Sequence, residues 1–209
     1  MERTRAALER RLAAVRGFDH PRIDLEQYPT PPHIAASIIH TADLRDDITN
    51  RLVVDLGCGT GMLAIAAALR RPAACVALDI DRSALDTGIR NARQVGPPIP
   101  IEWVLGDVLT NPLSTTDATV LMNPPFGAQR DNVHADRAFL TVARDLARVS
   151  YSIHNAGSEE FIRSFASDNE GVVTDGWALK FDLANQFEFH SADSTTIDAE
   201  AFRIEWSTW

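Results

Sequence analysis

The residues best equipped for chemistry are Asn123, Pro124, Pro125 and Phe126, followed by Gly127. They come directly after the apolar run Ala118-Thr119-Val120-Leu121-Met122, which reads as a buried strand. A strand ending in Asn-Pro-Pro-aromatic suits methyl transfer to a planar nitrogen. Such a nitrogen is a poor nucleophile, because its lone pair is delocalised into a ring or carbonyl. As the new bond forms, the nitrogen pyramidalises, gains positive charge, and its N–H groups become stronger donors. Fixed acceptors bind that state better than the flat ground state, which lowers the barrier. Asn123 offers its side-chain oxygen and Pro124 its backbone carbonyl. The two prolines stiffen the turn and remove competing N–H donors. Phe126 offers a face on which a planar substrate stacks. The displacement needs no metal and no general base, since the protonated product amine loses its proton to water. A carboxamide nitrogen needs the same two acceptors, so a protein glutamine side chain, such as one of a translation release factor, is the alternative substrate. A non-catalytic cofactor-binding module is the alternative from another class.

Three further strand ends carry acids. Leu52-Val53-Val54-Asp55-Leu56 is a β-branched strand running into Gly57-Cys58-Gly59-Thr60-Gly61, with a helix expected over Met62 to Leu69. Glycines let a backbone approach a ligand closely, and a helix start favours an anionic group. The next strand, Ala74 to Leu78, ends in Asp79, placed to accept both hydroxyls of a ribose. The third, Ile101 to Leu105, leads to Asp107 and Val108; the acid can accept from an adenine amine while Val108 packs nearby. Asp55 is unusual in a buried strand and needs either the glycine-loop amides or a ligand amine. In an open parallel α/β sheet, ligands bind at the carboxyl ends of the strands.

The elements that must position these groups are legible by periodicity. A helix is expected over Glu2 to Val15, a linker over Phe18 to Leu25, and a second helix after Thr30, with Thr30 as N-cap and Pro31 at the first helical position. Gln27 and Tyr28 sit just outside it, where they can line a pocket. Helices are expected over Asp81 to Gln94, over Ala138 to Ala147, and through Phe161, Ile162 and Phe165. Gly127 to Asp136, with His134, reads as a loop over the substrate. A fifth strand spans Val149 to Ile153. Gly171 to Asp182, Gln186 to His190 and Ala201 to Trp206 read as a terminal antiparallel pair, with Ser191 to Glu200 a polar insertion.

Composition bounds the class. The 209 residues are 45% hydrophobic, enough for one domain with a full core. No apolar run approaches the ~20 residues of a membrane span. The charged start, Met1 to Arg16, is not a secretory signal. Cys58 and Cys75 lack partners at metal-binding spacing and read as reduced thiols of a cytoplasmic protein. Net charge is -9 and Lys180 is the lone lysine, which suits a high-salt cytoplasm. Arginines 3, 5, 10, 11, 16 and 22 cluster at the start, as a solvated helix face or a phosphate-facing strip.

At these residues the chain resembles a class I S-adenosylmethionine-dependent methyltransferase, and more narrowly the methyltransferase-like protein 5 family of small-subunit rRNA adenine-N6 methyltransferases. Leu25-Glu26-Gln27-Tyr28-Pro29-Thr30, Asp55-Leu56-Gly57-Cys58-Gly59, Asp79-Ile80-Asp81, Asn123-Pro124-Pro125-Phe126-Gly127 and Tyr151-Ser152-Ile153-His154 carry the likeness. It implies a Rossmann-like α/β fold with a seven-stranded, mostly parallel sheet and a terminal antiparallel strand pair. Residues 1–209 would be one methyltransferase domain, with N-terminal helices and a cofactor-covering segment in 1–45 and the Rossmann-like core in 51–206. It implies that Gln27, Thr30, Gly57, Thr60, Met62, Asp79, Asp107 and Val108 contact S-adenosylmethionine, and that Asn123, Pro124, Pro125 and Phe126 hold a flipped adenine of rRNA. It also implies a small zinc-ribbon activator subunit on the third strand, Ile101 to Leu105, left as an exposed apolar edge bearing Trp103.

Overall fold

The computed structural model describes residues 4–125, 135–184 and 194–207, with backbone only at 181–184 and 194–197. Helix α1 (Arg5–Leu12) is shorter than the periodicity predicts. Thr4 is its N-cap and accepts from the Ala7 N–H at 3.2 Å, so the helix begins after it. Val15, beyond the helix, still packs against the core. Helix α2 (Pro32–Leu44) begins with a proline at its first position and is preceded by Pro31, not Thr30, as N-cap. A proline at the helix start loses no hydrogen bond, which is why the pair is tolerated there.

The sheet then follows as β1 (Leu52–Leu56), α3 (Met62–Ala68), β2 (Ala74–Asp79), α4 (Arg82–Val95), β3 (Ile101–Leu105), a 3-10 turn over Val108–Thr110, and β4 (Ala118–Met122). Next are α5 (Ala135–Leu146), β5 (Ala147–Asn155), α6 (Glu159–Asp168), β6 (Gly171–Ala184) and β7 (Ser194–Trp206). Strand order is β3-β2-β1-β4-β5-β7-β6, with β7 antiparallel to both neighbours and the other pairs parallel. This is the seven-stranded, mostly parallel sheet expected, with its antiparallel pair at one end and β3 at the other edge. The polar stretch Ser194 to Glu200 is strand, contrary to its reading as an insertion. Beyond Ala199 the hairpin outruns β5 and pairs with β6 alone. Gln186 to His190 lies outside the described residues.

Strand pleating divides the core. Val54, Leu56, Val120 and Met122 point to one layer, with Leu140, Leu146 and Phe165 of α5 and α6. Val53, Leu121 and Tyr151 point to the other, with Leu12, Ile34, Ile38 and Ile65 of α1, α2 and α3. The central strands β1 and β4 are therefore apolar on both faces, apart from Asp55 and Thr119. Among the described residues no helix is long and apolar enough to cross a membrane.

Candidate active site

The carboxyl ends of the parallel strands open on a cavity of about 380 Å³. That volume lies within the ~300–1,000 Å³ usual for small-ligand sites. Gln27, Tyr28, Thr30, Asp55, Gly57, Gly59, Thr60, Met62, Asp79, Asp107, Val108, Asn123 and Pro125 all line it. One cavity thus brings together residues spread over nearly a hundred positions of sequence. Pro124 is buried and lies outside the lining. Phe126, His134 and most of the loop after Pro125 lie outside the described residues.

The glycine turn is left-handed at three points, with φ of +67° at Gly57, +53° at Gly59 and +86° at Gly61. Side chains there are excluded twice over. A Cβ on Gly57 would meet the Phe139 ring at 3.0 Å, and one on Gly59 the Phe18 ring at 2.8 Å. Two phenyl rings from α5 and the N-terminal segment thus flank the turn. Behind it, the Trp103 ring packs where Cβ atoms on Gly61 and Gly88 would lie, at 2.6 Å from each. Trp103 is therefore used for internal packing. The exposed apolar side chains around this edge are instead Leu105, Leu109 and Ile80.

Asp79 ties the turn to the second strand end. Its Oδ2 accepts from the Gly59 N–H at 2.7 Å and its Oδ1 from the Asp81 N–H at 2.8 Å. Asp107 accepts from the Leu109 N–H at 2.8 Å, capping the 3-10 turn while also lining the cavity. Asp55 is 1% exposed. Its Oδ2 accepts from the Ala64 N–H of α3 at 2.8 Å, and its Oδ1 has no hydrogen-bond partner among the described residues. Burial pushes its pKa up to about 7, the Asp79 charge adding to the effect and the Ala64 N–H opposing it. Asp79 is also raised, chiefly by burial.

The whole segment from Leu25 to Thr30 lines the same cavity. Gln27 anchors it toward the second strand, accepting from the Arg22 N–H at 2.8 Å and donating to Asp81 Oδ2 at 2.7 Å. Thr30 anchors it toward the fourth. Its Oγ1 accepts from Asn123 Nδ2 at 3.0 Å. That bond explains why Thr30 does not cap α2: its hydroxyl faces the Asn-Pro-Pro turn. With Nδ2 engaged, Asn123 Oδ1 is a buried acceptor with no partner among the described residues.

Among the described residues four carboxylates line the cavity, from Glu26, Asp55, Asp79 and Asp107, and no Lys, Arg or His does. A pyrophosphate or other polyanion is poorly suited to it. A cationic ligand rich in hydroxyl and amine donors fits, and S-adenosylmethionine has that character. Sequence reasoning missed Phe18, Glu26, Ile80 and Phe139 as lining residues. Glu26 had a signal in its position beside Gln27. Phe139 showed only helical periodicity, which marks core and cavity walls alike.

The methyltransferase small domain family model matches residues 35–149. The rRNA N(6)-adenosine-methyltransferase METTL5 of Danio rerio is 39% identical over 201 residues, covering 94% of this chain and 96% of its own. The rRNA N(6)-adenosine-methyltransferase Mettl5 of Drosophila melanogaster is 38% identical, covering 96% of each chain. The crystal structure of a Pyrococcus horikoshii protein, of proposed RNA methyltransferase activity, superposes with a TM-score of 0.87 at 35% identity over 99% of both chains. The strand order, the acid at each of the first three strand ends and these likenesses agree, and the chain belongs to the methyltransferase small domain family and, within it, to the METTL5 family of rRNA N6-adenosine methyltransferases.

Proposed function

We propose that this chain is an S-adenosylmethionine-dependent enzyme that methylates N6 of an adenine in small-subunit rRNA. The observation that carries this reading is Asn123. It offers a buried acceptor oxygen without a partner among the described residues, on a side chain fixed by Thr30, in a cavity shared with the glycine turn. S-adenosylmethionine supplies, when bound, a methyl group on positively charged sulfur. Asp79 and Asp107 accept from its hydroxyl and amine donors, and Asp55 accepts through the oxygen that has no partner. The glycine turn, with Thr60, Met62 and Val108, provides the apolar and backbone surface around them. Asn123 Oδ1 and the Pro124 carbonyl accept the hydrogens of the target amine and favour its pyramidal, charged form. Phe126 stacks on the extruded adenine. Neither Asn123 nor Pro124 has to remove a proton, because the product amine releases its own to water.

Asn123→Ala tests the mechanism. Loss of one preorganised partner lowers kcat by about 10²–10³-fold, roughly 3–4 kcal/mol in the barrier, while cofactor binding by calorimetry is retained. Near-normal turnover overturns the mechanism. Radiolabelled methyl transfer to small-subunit rRNA, to DNA and to a release factor tests the substrate, and labelling of either of the last two alone overturns the rRNA reading.

The proposed partner is a small zinc-ribbon subunit pairing with β3, which is an edge strand with Leu105 exposed. Full activity of the isolated, monomeric protein overturns it. The net charge of -9 with a lone lysine, Lys180, supports a cytoplasm of high salt as the setting.

A further inference from the structure

Five described residues other than glycine have positive φ: Glu26, Asp46, Asn50, Arg71 and Glu170. Asp46, Asn50, Arg71 and Glu170 are exposed. Glu26 alone is buried, 7% exposed with φ +49°, and it lines the cavity. A left-handed backbone favours glycine, so a glutamate held there keeps a conformation that its own Cβ disfavours. Strain retained at a cavity wall points to a role for the side chain.

The surrounding turn leaves Glu26 little freedom. Its N–H donates to the Ile23 carbonyl at 3.1 Å, and its own carbonyl accepts from the Tyr28 N–H at 2.9 Å. Gln27, the next residue, is fastened at both ends of its amide. The other three carboxylates of the cavity come from the sheet side, at or just after the ends of β1, β2 and β3. Glu26 comes from the N-terminal segment that lines the same cavity, so a ligand held there meets carboxylates from two separate parts of the chain. We infer that Glu26 is a charge-selecting cofactor residue, which favours the cationic sulfonium donor over the neutral thioether that remains after transfer. This rests on the methyltransferase reading above.

The chemistry gives the selection its purpose. Transfer moves the methyl carbon from sulfur to nitrogen, the carbon–sulfur bonding pair stays on sulfur, and the sulfur loses its positive charge. A carboxylate near it in a poorly hydrated cavity attracts the donor and has no such hold on the product. Donor and product otherwise share the same adenosine and amino-acid groups. A wall that reads the charge therefore promotes exchange of spent cofactor for fresh.

The test is calorimetry with S-adenosylmethionine, S-adenosylhomocysteine and sinefungin, whose amine carries positive charge where the donor has its sulfonium. In the wild-type protein sinefungin binds at least tenfold more tightly than S-adenosylhomocysteine. In Glu26→Gln, which keeps the size and an acceptor oxygen, both cationic ligands weaken by about tenfold and S-adenosylhomocysteine by less than threefold. Equal weakening of all three, or no change in any, overturns the inference and leaves the methyltransferase reading intact. Should the variant fail to fold, the wild-type ratio decides alone: equal affinity for sinefungin and S-adenosylhomocysteine overturns the inference. A wild-type protein that binds none of the three overturns the methyltransferase reading and this inference with it.

Discussion

Asp47 and Asp55 are both 1% exposed, stand eight positions apart, and are treated in opposite ways. Asp47 lies toward the amino ends of the parallel strands, in the turn between α2 and β1. Its Oδ2 accepts from Tyr151 Oη at 2.7 Å and Arg203 Nε at 2.8 Å, and its Oδ1 from the Arg148 guanidinium at 2.9 Å. Its backbone carbonyl accepts from Thr119 Oγ1 at 2.5 Å. Burial pushes its pKa up, but Arg203, Tyr151 and Arg148 together outweigh burial and hold it below the ordinary value. Asp55, at the carboxyl end, has one N–H for two oxygens and a pKa near 7. The difference shows what each end is for. At Asp47 both carboxylate oxygens are completed within the protein, whereas Asp55 keeps one oxygen for a ligand.

The largest effect expected from breaking this contrast is on stability. Asp47→Ala leaves the nearly buried Arg203 guanidinium without its main partner, at a cost of roughly 3–5 kcal/mol. Urea unfolding shows it as a lower midpoint, while calorimetry on the folded fraction finds cofactor affinity unchanged. A variant with an unchanged midpoint and weakened cofactor binding would break the comparison.

Asp55 makes the opposite prediction, and its pH dependence follows from the sign of its shift. A carboxyl whose folded pKa is raised stabilises the fold below its unfolded value of 3.8, and that stability is lost as pH rises through about 7. Asp55 therefore contributes roughly 2–4 kcal/mol of stability to the ligand-free protein that is lost between about pH 4 and pH 7, against the opposite contribution of His154, whose pKa burial lowers to about 4. Asp55→Asn removes the Asp55 contribution. Its urea midpoint at pH 8 exceeds that of the wild type, while its affinity for the cationic cofactor falls by about tenfold. A midpoint at pH 8 below the wild type's would show that the Asp55 charge is satisfied within the protein after all.

The same contrast explains which parts were legible beforehand. The four strand ends were readable because β1, β2, β3 and β4 are short apolar runs bounded by Gly, Asp or Asn-Pro-Pro, so the flanking residues leave little choice of boundary. The cavity followed, since a parallel sheet gathers its carboxyl ends at one side. The Asp47 cluster was invisible in advance. Its members lie between positions 47 and 203 and have no shared spacing; only the register of β4, β5 and β7 brings them together. Glu26 escaped for another reason, as its backbone angle is set by a turn whose hydrogen bonds no pattern of residue types announces. Thr30 was misread as a helix cap because Thr-Pro-Pro before an apolar helix is good local evidence, and a partner 93 positions away outweighed it.

Thr30 carries the smallest expected effect and sharpens the contrast most finely, because it lies where the completed and incomplete groups meet. Its hydroxyl satisfies one end of the Asn123 amide so that the other end remains for substrate. Thr30→Val keeps the shape and removes the acceptor. Asn123 then loses its anchor, and kcat falls by about tenfold, near the ~1 kcal/mol net worth of one hydrogen bond plus the cost of an unpaired buried donor. The melting temperature moves little, and Thr30→Ser restores turnover by restoring the oxygen. The split between kinetic constants decides between two roles. A lower kcat with unchanged cofactor affinity makes Thr30 a positioning residue for Asn123, whereas weaker cofactor binding with an unchanged kcat makes it a cofactor ligand, as the family likeness implies. In the second case the Asn123 amide is oriented by the Asn-Pro-Pro turn alone, and the two prolines, not the segment from Leu25 to Thr30, keep its oxygen in place.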